Sequence, residues 1–275
     1  MTTDLRALPS LPVMPVHRRV EHVMGMPVSL ALRGRHAVDH EADAAWAEVL
    51  AALRDVDRVF STYRPDSVVS RLDRGELALA DCPTEVHEVL ALGEQARQES
   101  RGAFDVRRPG PSGRRVLDPS GVVKGWAVER AARVLERLRA TDSCLSAGGD
   151  LVCRTALPGS PGWRIGVEDP ADPSRVLAVV PVRDGAVATS GLAHRGDHVV
   201  DARSGEVPRA LASVTVVAPD LTWADLDATA AFALGADGPA WLRARPGRTG
   251  VVVHADGRAE RFSGPSRSPR ARRCG

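Results

Sequence analysis

Amphipathic helical stretches dominate the first half of this 275-residue chain and short strand-like runs the second, with no regular alternation between them. That order restricts the fold more than any other feature. Parallel sheets need strand–helix–strand crossovers, so their absence points to an α+β fold with a largely antiparallel or mixed sheet flanked by helices. Val28-Ser-Leu-Ala-Leu32 alternates like a strand. Over residues 39–60, apolar side chains fall at Ala42, Ala45, Trp46, Val49, Leu50, Leu53, Val56 and Phe60, one stripe at helical spacing. A short helix begins at Ser67, and Thr84 caps a second long helix that runs to Ser100 and stops at Gly102. A loop with Pro109, Gly110, Pro111 and Gly113 precedes a third helix over about 125–139. Residues 143–154, 163–167, 176–182, 186–189, 198–200 and 214–218 read as strands between Gly, Pro and Asp turns. A helix over 222–234, capped by Thr222, and strands near 251–254 and 261–262 complete the pattern. The expected organisation is a single two-lobed domain over 16–262, between a disordered segment 1–15 and a basic disordered tail 263–275.

A chain this long buries roughly three quarters of the surface its unfolded form exposes, so it needs no disulfide or metal merely to fold. Cys82, Cys144, Cys153 and Cys274 show neither a CxxC pair nor ligand spacing with histidine, and read as free thiols in a reducing compartment. Residues 1–15 lack a basic region followed by an apolar core, no cysteine lies near the start to receive a lipid, and no apolar run follows Arg18-Arg19. The expected location is therefore cytoplasmic. No stretch approaches 18 apolar residues, so no transmembrane segment is expected. A formal net charge of +2 implies no nucleic-acid partner. The tail arginines Arg267, Arg270, Arg272 and Arg273, without an acid among them, read as a solvated segment.

Four motifs carry candidate chemistry. Lys124 is the single lysine among 37 basic residues, and it sits in Asp118-Pro-Ser-Gly121-Val-Val-Lys124-Gly125-Trp126. A compact ammonium at a Gly-bounded helix start can hold a phosphate; the alternative is an ordinary surface lysine. Ser146-Ala-Gly148-Gly149-Asp150 places a glycine pair between strand-like runs, which equally describes a plain β-turn. In His198-Val-Val-Asp201-Ala-Arg-Ser-Gly205, His198 has the chemistry of a general base, and also that of a satisfied strand residue. Asp225 and Thr229 lie four apart on a helix, so carboxylate and hydroxyl share one face. Hard oxygens at that spacing suit Mg²⁺, whereas an acid in a first turn also complements the helix dipole. There is no GxxxxGK[ST] and no GxGxxG, which argues against a P-loop or a Rossmann dinucleotide site.

In order along the chain, Met24-Gly25, Phe60-Ser-Thr-Tyr63-Arg-Pro-Asp-Ser67, Gly102-Ala-Phe-Asp105, Asp118 through Gly125, Ala147-Gly-Gly-Asp150, Thr189-Ser-Gly191, His198-Val-Val-Asp201 and Ala224-Asp-Leu-Asp-Ala-Thr229 resemble the ApbE family of FAD:protein FMN transferases. Each piece is common alone; the ordered set, spread over about residues 20–262, is specific. The resemblance implies Mg²⁺-dependent transfer of the FMN moiety of FAD to a Thr or Ser hydroxyl of an acceptor flavoprotein, with AMP released. It places Met24, Tyr63, Ala103, Phe104, Asp105, Asp118, Lys124 and Val200 at the FAD site. It makes the Gly121 carbonyl, Asp225 and Thr229 the Mg²⁺ ligands, and His198 the group that activates the acceptor hydroxyl. Two other readings use the same residues: a Mg²⁺-dependent FAD pyrophosphatase, and a flavin-binding module without turnover. The chain departs from the family pattern at Val106-Arg107-Arg108-Pro109, where a Pro-Thr-like pair and an apolar turn are usual, and at Asp73, Met26 and Pro119-Ser120.

Overall fold

The computed structural model describes residues 14–110, 113–192 and 199–266. Expectations for the first residues, for the tail beyond 266 and for His198 lie outside these. The strands are β1 (His17–Val23), β2 (Met26–Gly34), β3 (Arg107–Pro109), β4 (Arg115–Leu117), β5 (Thr141–Ala147), β6 (Asp150–Arg154), β7 (Trp163–Asp169), β8 (Asp172–Val182), β9 (Gly185–Gly191), β10 (Leu211–Ala218), β11 (Thr249–His254) and β12 (Ala259–Ser263). The helices are α1 (His40–Phe60), α2 (Val68–Asp73), α3 (Thr84–Glu99), α4 (Ser120–Ala132), α5 (Leu221–Ala233) and α6 (Gly238–Arg243). Eight strands form one sheet in the order β1-β2-β5-β6-β9-β10-β11-β12, with every neighbouring pair antiparallel. The α+β expectation holds.

Alternation along the strands gives the sheet two different faces. Leu30, Leu145, Val152, Ala186, Ala188, Val214 and Val216 join the large core under the helices. Cys153 and Val187 point the other way and pack against Trp163 of β7 and Val182 of β8 in a smaller cluster. The β7–β8 ribbon thus covers the sheet's second face.

Local chemistry sets the element ends. The Asp39 carboxylate accepts from the Ala42 amide at 3.1 Å and caps α1, and the Ser67 hydroxyl caps α2 through the Ser70 amide at 3.1 Å. Two expected caps differ. Thr84 is already helical, with Pro83 before it, and α5 is capped by Asp220, which accepts from the Trp223 amide at 3.0 Å, in place of Thr222. α4 starts five residues earlier than its apolar pattern suggests, because Ser120 and Gly121 already adopt helical geometry. The run 143–154 is two strands, folded at Gly148-Gly149 with φ of 57° and 94°, the positive pair that a tight two-residue hairpin turn requires. β3 and β4 pair antiparallel within the stretch where a loop was expected. Val199 and Val200 lie outside any strand, so the strand expected over 198–200 is not formed by its described residues.

Cys82, Cys144 and Cys153 carry free thiols, and Cys144 and Cys153 face each other across β5 and β6 with sulfurs 3.7 Å apart. Beside them, Arg33 on β2 and Asp142 on β5 form a buried ion pair at 2.8 Å. Burial alone would raise the Asp142 carboxyl. The Ser160 hydroxyl at 2.5 Å, the Leu157 amide at 2.9 Å and Arg33 outweigh it and hold that carboxyl below the usual range. A depressed carboxyl stabilises the fold above its unfolded value of about 3.9, and that contribution disappears as pH falls through the lower folded value. Asp142→Ala, which strands the Arg33 charge, should cost about 3–5 kcal/mol near neutrality. Urea unfolding of both proteins should show this gap intact at pH 7 and narrowing below about pH 4; a gap that does not change with pH would contradict it.

Candidate active site

α5 is apolar on nearly every side, and it is buried between β9, β10 and α4. Two carboxylates on it must therefore find partners. Asp227 meets Arg245 at 2.7 Å and Arg248 at 2.6 Å; burial still leaves its carboxyl above the usual range. Asp225, on another face, is 2 % exposed along its side chain and looks toward α4.

The α4–α5 contact is antiparallel and close. A side chain at Gly125 would sit 2.7 Å from Asp225 Cβ and 2.7 Å from the Leu221 carbonyl; one at Gly121 would approach the Phe104 ring at 2.9 Å and the Thr229 methyl at 3.8 Å. One helical turn further, the Glu129 carboxylate accepts from the Leu221 amide at 2.7 Å and holds Arg154 at 2.9 Å. Glycines at positions four apart on α4 thus face Asp225 and Thr229, four apart on α5. The Gly125 amide donates to Asp225 Oδ2 at 2.9 Å. Its regular helical acceptor would be the Gly121 carbonyl, so Asp225 competes for that donor.

The Lys124 ammonium lies between two carboxylates, 2.5 Å from Asp150 Oδ2 and 3.2 Å from Asp225 Oδ1. The Asp150 contact is one of charge without hydrogen-bond alignment, and its other oxygen accepts from the Thr189 amide at 2.9 Å. Burial pushes the Asp225 carboxyl up to about 7; the Lys124 ammonium opposes this and the neighbouring Asp150 charge adds to it. Ser190 on β9 places its hydroxyl 3.0 Å from that of Thr229.

Lys124, Thr189, Ser190, Asp225 and Thr229 line a cleft of about 360 Å³. Of the expected site residues, Phe104, Asp105, Asp118, Gly121, Lys124, Val200, Asp225 and Thr229 border it. Ala103 lies just behind, fully buried, and its carbonyl accepts from the Ala202 amide at 3.0 Å, tying the 199–205 segment to the Phe104 loop. Met24 has a positive φ of 56° in the β1–β2 turn and packs on the core outside the cleft lining. Tyr63 is 96 % exposed and also outside it. Sequence reasoning missed Arg108, Gly166, Glu168, Pro170 and Ser213, which also border the cleft. Glu168 and Pro170 come from the end of the β7–β8 ribbon, whose approach to the glycine turns is set by tertiary packing alone.

Lys124 is thus at the cleft as expected, but its charge faces carboxylates. Asp105, Asp118, Glu168 and Asp225 outnumber Arg108 and Lys124 around the opening, giving a lining with two excess negative charges when all are ionised. A diphosphate would be repelled from such a lining unless a cation accompanied it. Among the described residues no three His, Cys, Asp or Glu side chains gather as a metal group. At the α4–α5 crossing the oxygens are instead the Asp225 carboxylate and the Thr229 and Ser190 hydroxyls, hard donors of the kind that suits Mg²⁺.

The sequence and the fold match one group of proteins. The ApbE family profile matches residues 24–108 and 111–253, and the chain belongs to the ApbE family. Proteins named FAD:protein FMN transferase from Haemophilus influenzae and Klebsiella pneumoniae are each 26 % identical to it, the matches covering 69 % and 71 % of this chain and 72 % of each relative. The Thermotoga maritima ApbE protein superposes with a TM-score of 0.75 at 21 % identity, over 90 % of this chain and 97 % of its own. The Pseudomonas stutzeri flavinyl transferase ApbE gives 0.75 at 24 %, over 90 % and 96 %.

The α4–α5 packing generates a test. Gly125→Ala must push Asp225 and the Leu221 carbonyl away from α4, an overpacking that should cost about 1–3 kcal/mol. Denaturant unfolding measures the loss; unchanged stability would mean that the helices part without penalty.

Proposed function

We propose that the protein transfers the FMN moiety of FAD to a Ser or Thr hydroxyl of an acceptor flavoprotein, forming a phosphoester and releasing AMP. The observation that carries this reading is the carboxylate-rich cleft at the α4–α5 crossing, with Asp225, Thr229 and Gly121 together on its wall. The names of the relatives supply the flavin. Asp225, Thr229 and the Gly121 carbonyl would hold Mg²⁺, which when bound neutralises diphosphate oxygens and favours departure of the nucleotide.

The chain's own residues do the rest. Lys124 keeps Asp150 and Asp225 in place and limits their mutual repulsion, so the carboxylate for the metal is held ready. The open turn at Gly148-Gly149 lets a ligand reach the backbone closely. The acceptor oxygen forms its bond to the FMN phosphorus while the phosphorus–oxygen bond of the diphosphate breaks, and the AMP phosphate leaves with the electron pair. The hydroxyl proton passes to His198, a role that rests on the resemblance; Val199 and Val200, which follow it, border the cleft.

Incubation with FAD, Mg²⁺ and an acceptor domain should add one FMN to the acceptor by mass spectrometry and liberate AMP. Free FMN with AMP would instead identify a pyrophosphatase, and intact bound FAD a binding module. Asp225→Asn should lower transfer by more than the roughly 10- to 100-fold that losing an outer partner of a metal ligand costs. His198→Ala should slow transfer about 10²- to 10⁴-fold while FAD affinity stays within a factor of a few. Wild-type turnover in His198→Ala would remove that histidine from the mechanism.

A further inference from the structure

The β3–β4 hairpin and the residue before β4 carry four arginines: Arg107, Arg108, Arg114 and Arg115. Two of the four side chains are paired outward or along the hairpin itself. Arg114 binds Asp73 at 2.5 Å, Arg115 binds Asp105 at 2.7 Å, and the Arg107 carbonyl accepts from Arg115. Arg108 alone among them borders the cleft. Its Nε donates to Asp118 Oδ2 at 2.8 Å, and its two Nη groups make no hydrogen bond to the described residues. A guanidinium gripped at Nε keeps the forked end of its donor set available, and that fork matches two oxygens of a phosphate.

Placement of this fork is built into the backbone. The Asp118 amide donates to the Val106 carbonyl at 2.7 Å, closing the hairpin base and setting Arg108 beside Asp118. The other oxygen of Asp118 accepts from the Ser120 amide at 3.2 Å, at the first turn of α4 and next to Gly121. Asp118 therefore ties the guanidinium to the N-terminus of the same helix whose Gly121 borders Thr229. The side chain is 45 % exposed, and so can reorient its outer nitrogens without breaking the Nε contact.

We propose that Arg108 binds the diphosphate of the flavin dinucleotide with its two Nη groups, oriented by Asp118, and so sets the preference of this chain for phosphorylated flavins. The inference rests on the reading of the cleft as a flavin dinucleotide site. It also gives a role to the stretch in which this sequence departs from its family's pattern. Lys124 is committed to Asp150 and Asp225, so Arg108 is the cleft-lining cation positioned to meet phosphate oxygens.

Titration of flavin fluorescence with wild type, Arg108→Ala, Arg108→Lys and Arg114→Ala, in Mg²⁺, separates the possibilities. Loss of a charge-assisted bidentate contact should raise the Kd for FAD about 10- to 100-fold in Arg108→Ala. Affinity for riboflavin, which has no phosphate, should stay unchanged. Arg108→Lys, which keeps the charge and loses the fork, should fall between the two, and Arg114→Ala should match wild type. A parallel fall in FAD and riboflavin affinity, or no fall in either, overturns the assignment while the cleft remains a flavin site. Wild type that binds no FAD overturns the reading of the cleft and the role of Arg108 together.

Discussion

The site depends on how closely α4 and α5 approach one another. Two helices normally keep their axes apart by the width of their side chains, about 8–10 Å. Here the α4 face opposite Asp225 and Thr229 is glycine, and at Gly125 even a methyl group has no room. The missing side chains let a main-chain amide of α4 reach the Asp225 carboxylate directly. Glu129 fixes the same register from the next turn, binding the first amide of α5. Helix register, the Asp225 and Thr229 oxygens and cleft wall are thus one arrangement, and none can shift without the others.

That closeness has an electrostatic consequence. Asp225 and Asp150 are almost wholly removed from water, and an isolated buried carboxylate costs several kcal/mol in practice. One ammonium between two carboxylates offsets only part of this and leaves an uncancelled negative charge. Burial therefore holds the Asp225 carboxyl near neutrality in its proton affinity. A divalent cation that replaced the proton would relieve this state, so the packing supports the metal dependence proposed above as the donor set does. The opposite face of α5 behaves differently. Asp227 there has two arginines of its own, Arg245 and Arg248, which balance it without help from a ligand.

Much of the fold was legible in the sequence because its signals are local. The α1 stripe, the Ser67 cap and the absence of crossover units each depend on residues near in the chain. Outer strand β1, with its sequence His-Arg-Arg-Val-Glu-His-Val, was invisible because most of it is exposed and shows little apolar alternation. The caps of α3 and α5 were misplaced because both helices begin earlier than expected: α3 follows Pro83 with no side-chain cap, and α5 is capped by Asp220 ahead of Thr222. Asp225 and Thr229 were readable as a pair from their spacing on one helix. Gly121 joined them only through the family resemblance, and the closeness of Asp150 and Ser190 was not readable, since these come from two further strands.

Lys124 shows the boundary most sharply. Its rarity and glycine neighbours pointed to the cleft, and the lysine does lie there. What the sequence could not convey is which charges the fold would bring against it. A phosphate and a pair of carboxylates make the same demand on an ammonium, and only the sheet order, which sets β6 beside β9 under α5, decides between them. Once Asp150 and Asp225 occupy that ammonium, the cationic work in the cleft must come from elsewhere. Two sources are proposed above: a divalent cation held at the glycine face, and the arginine at the hairpin base. They differ in kind, because the metal polarises oxygens at the reacting centre, whereas a guanidinium chiefly holds and orients the nucleotide. A cleft with both can bind a diphosphate tightly and still let its bridge be broken.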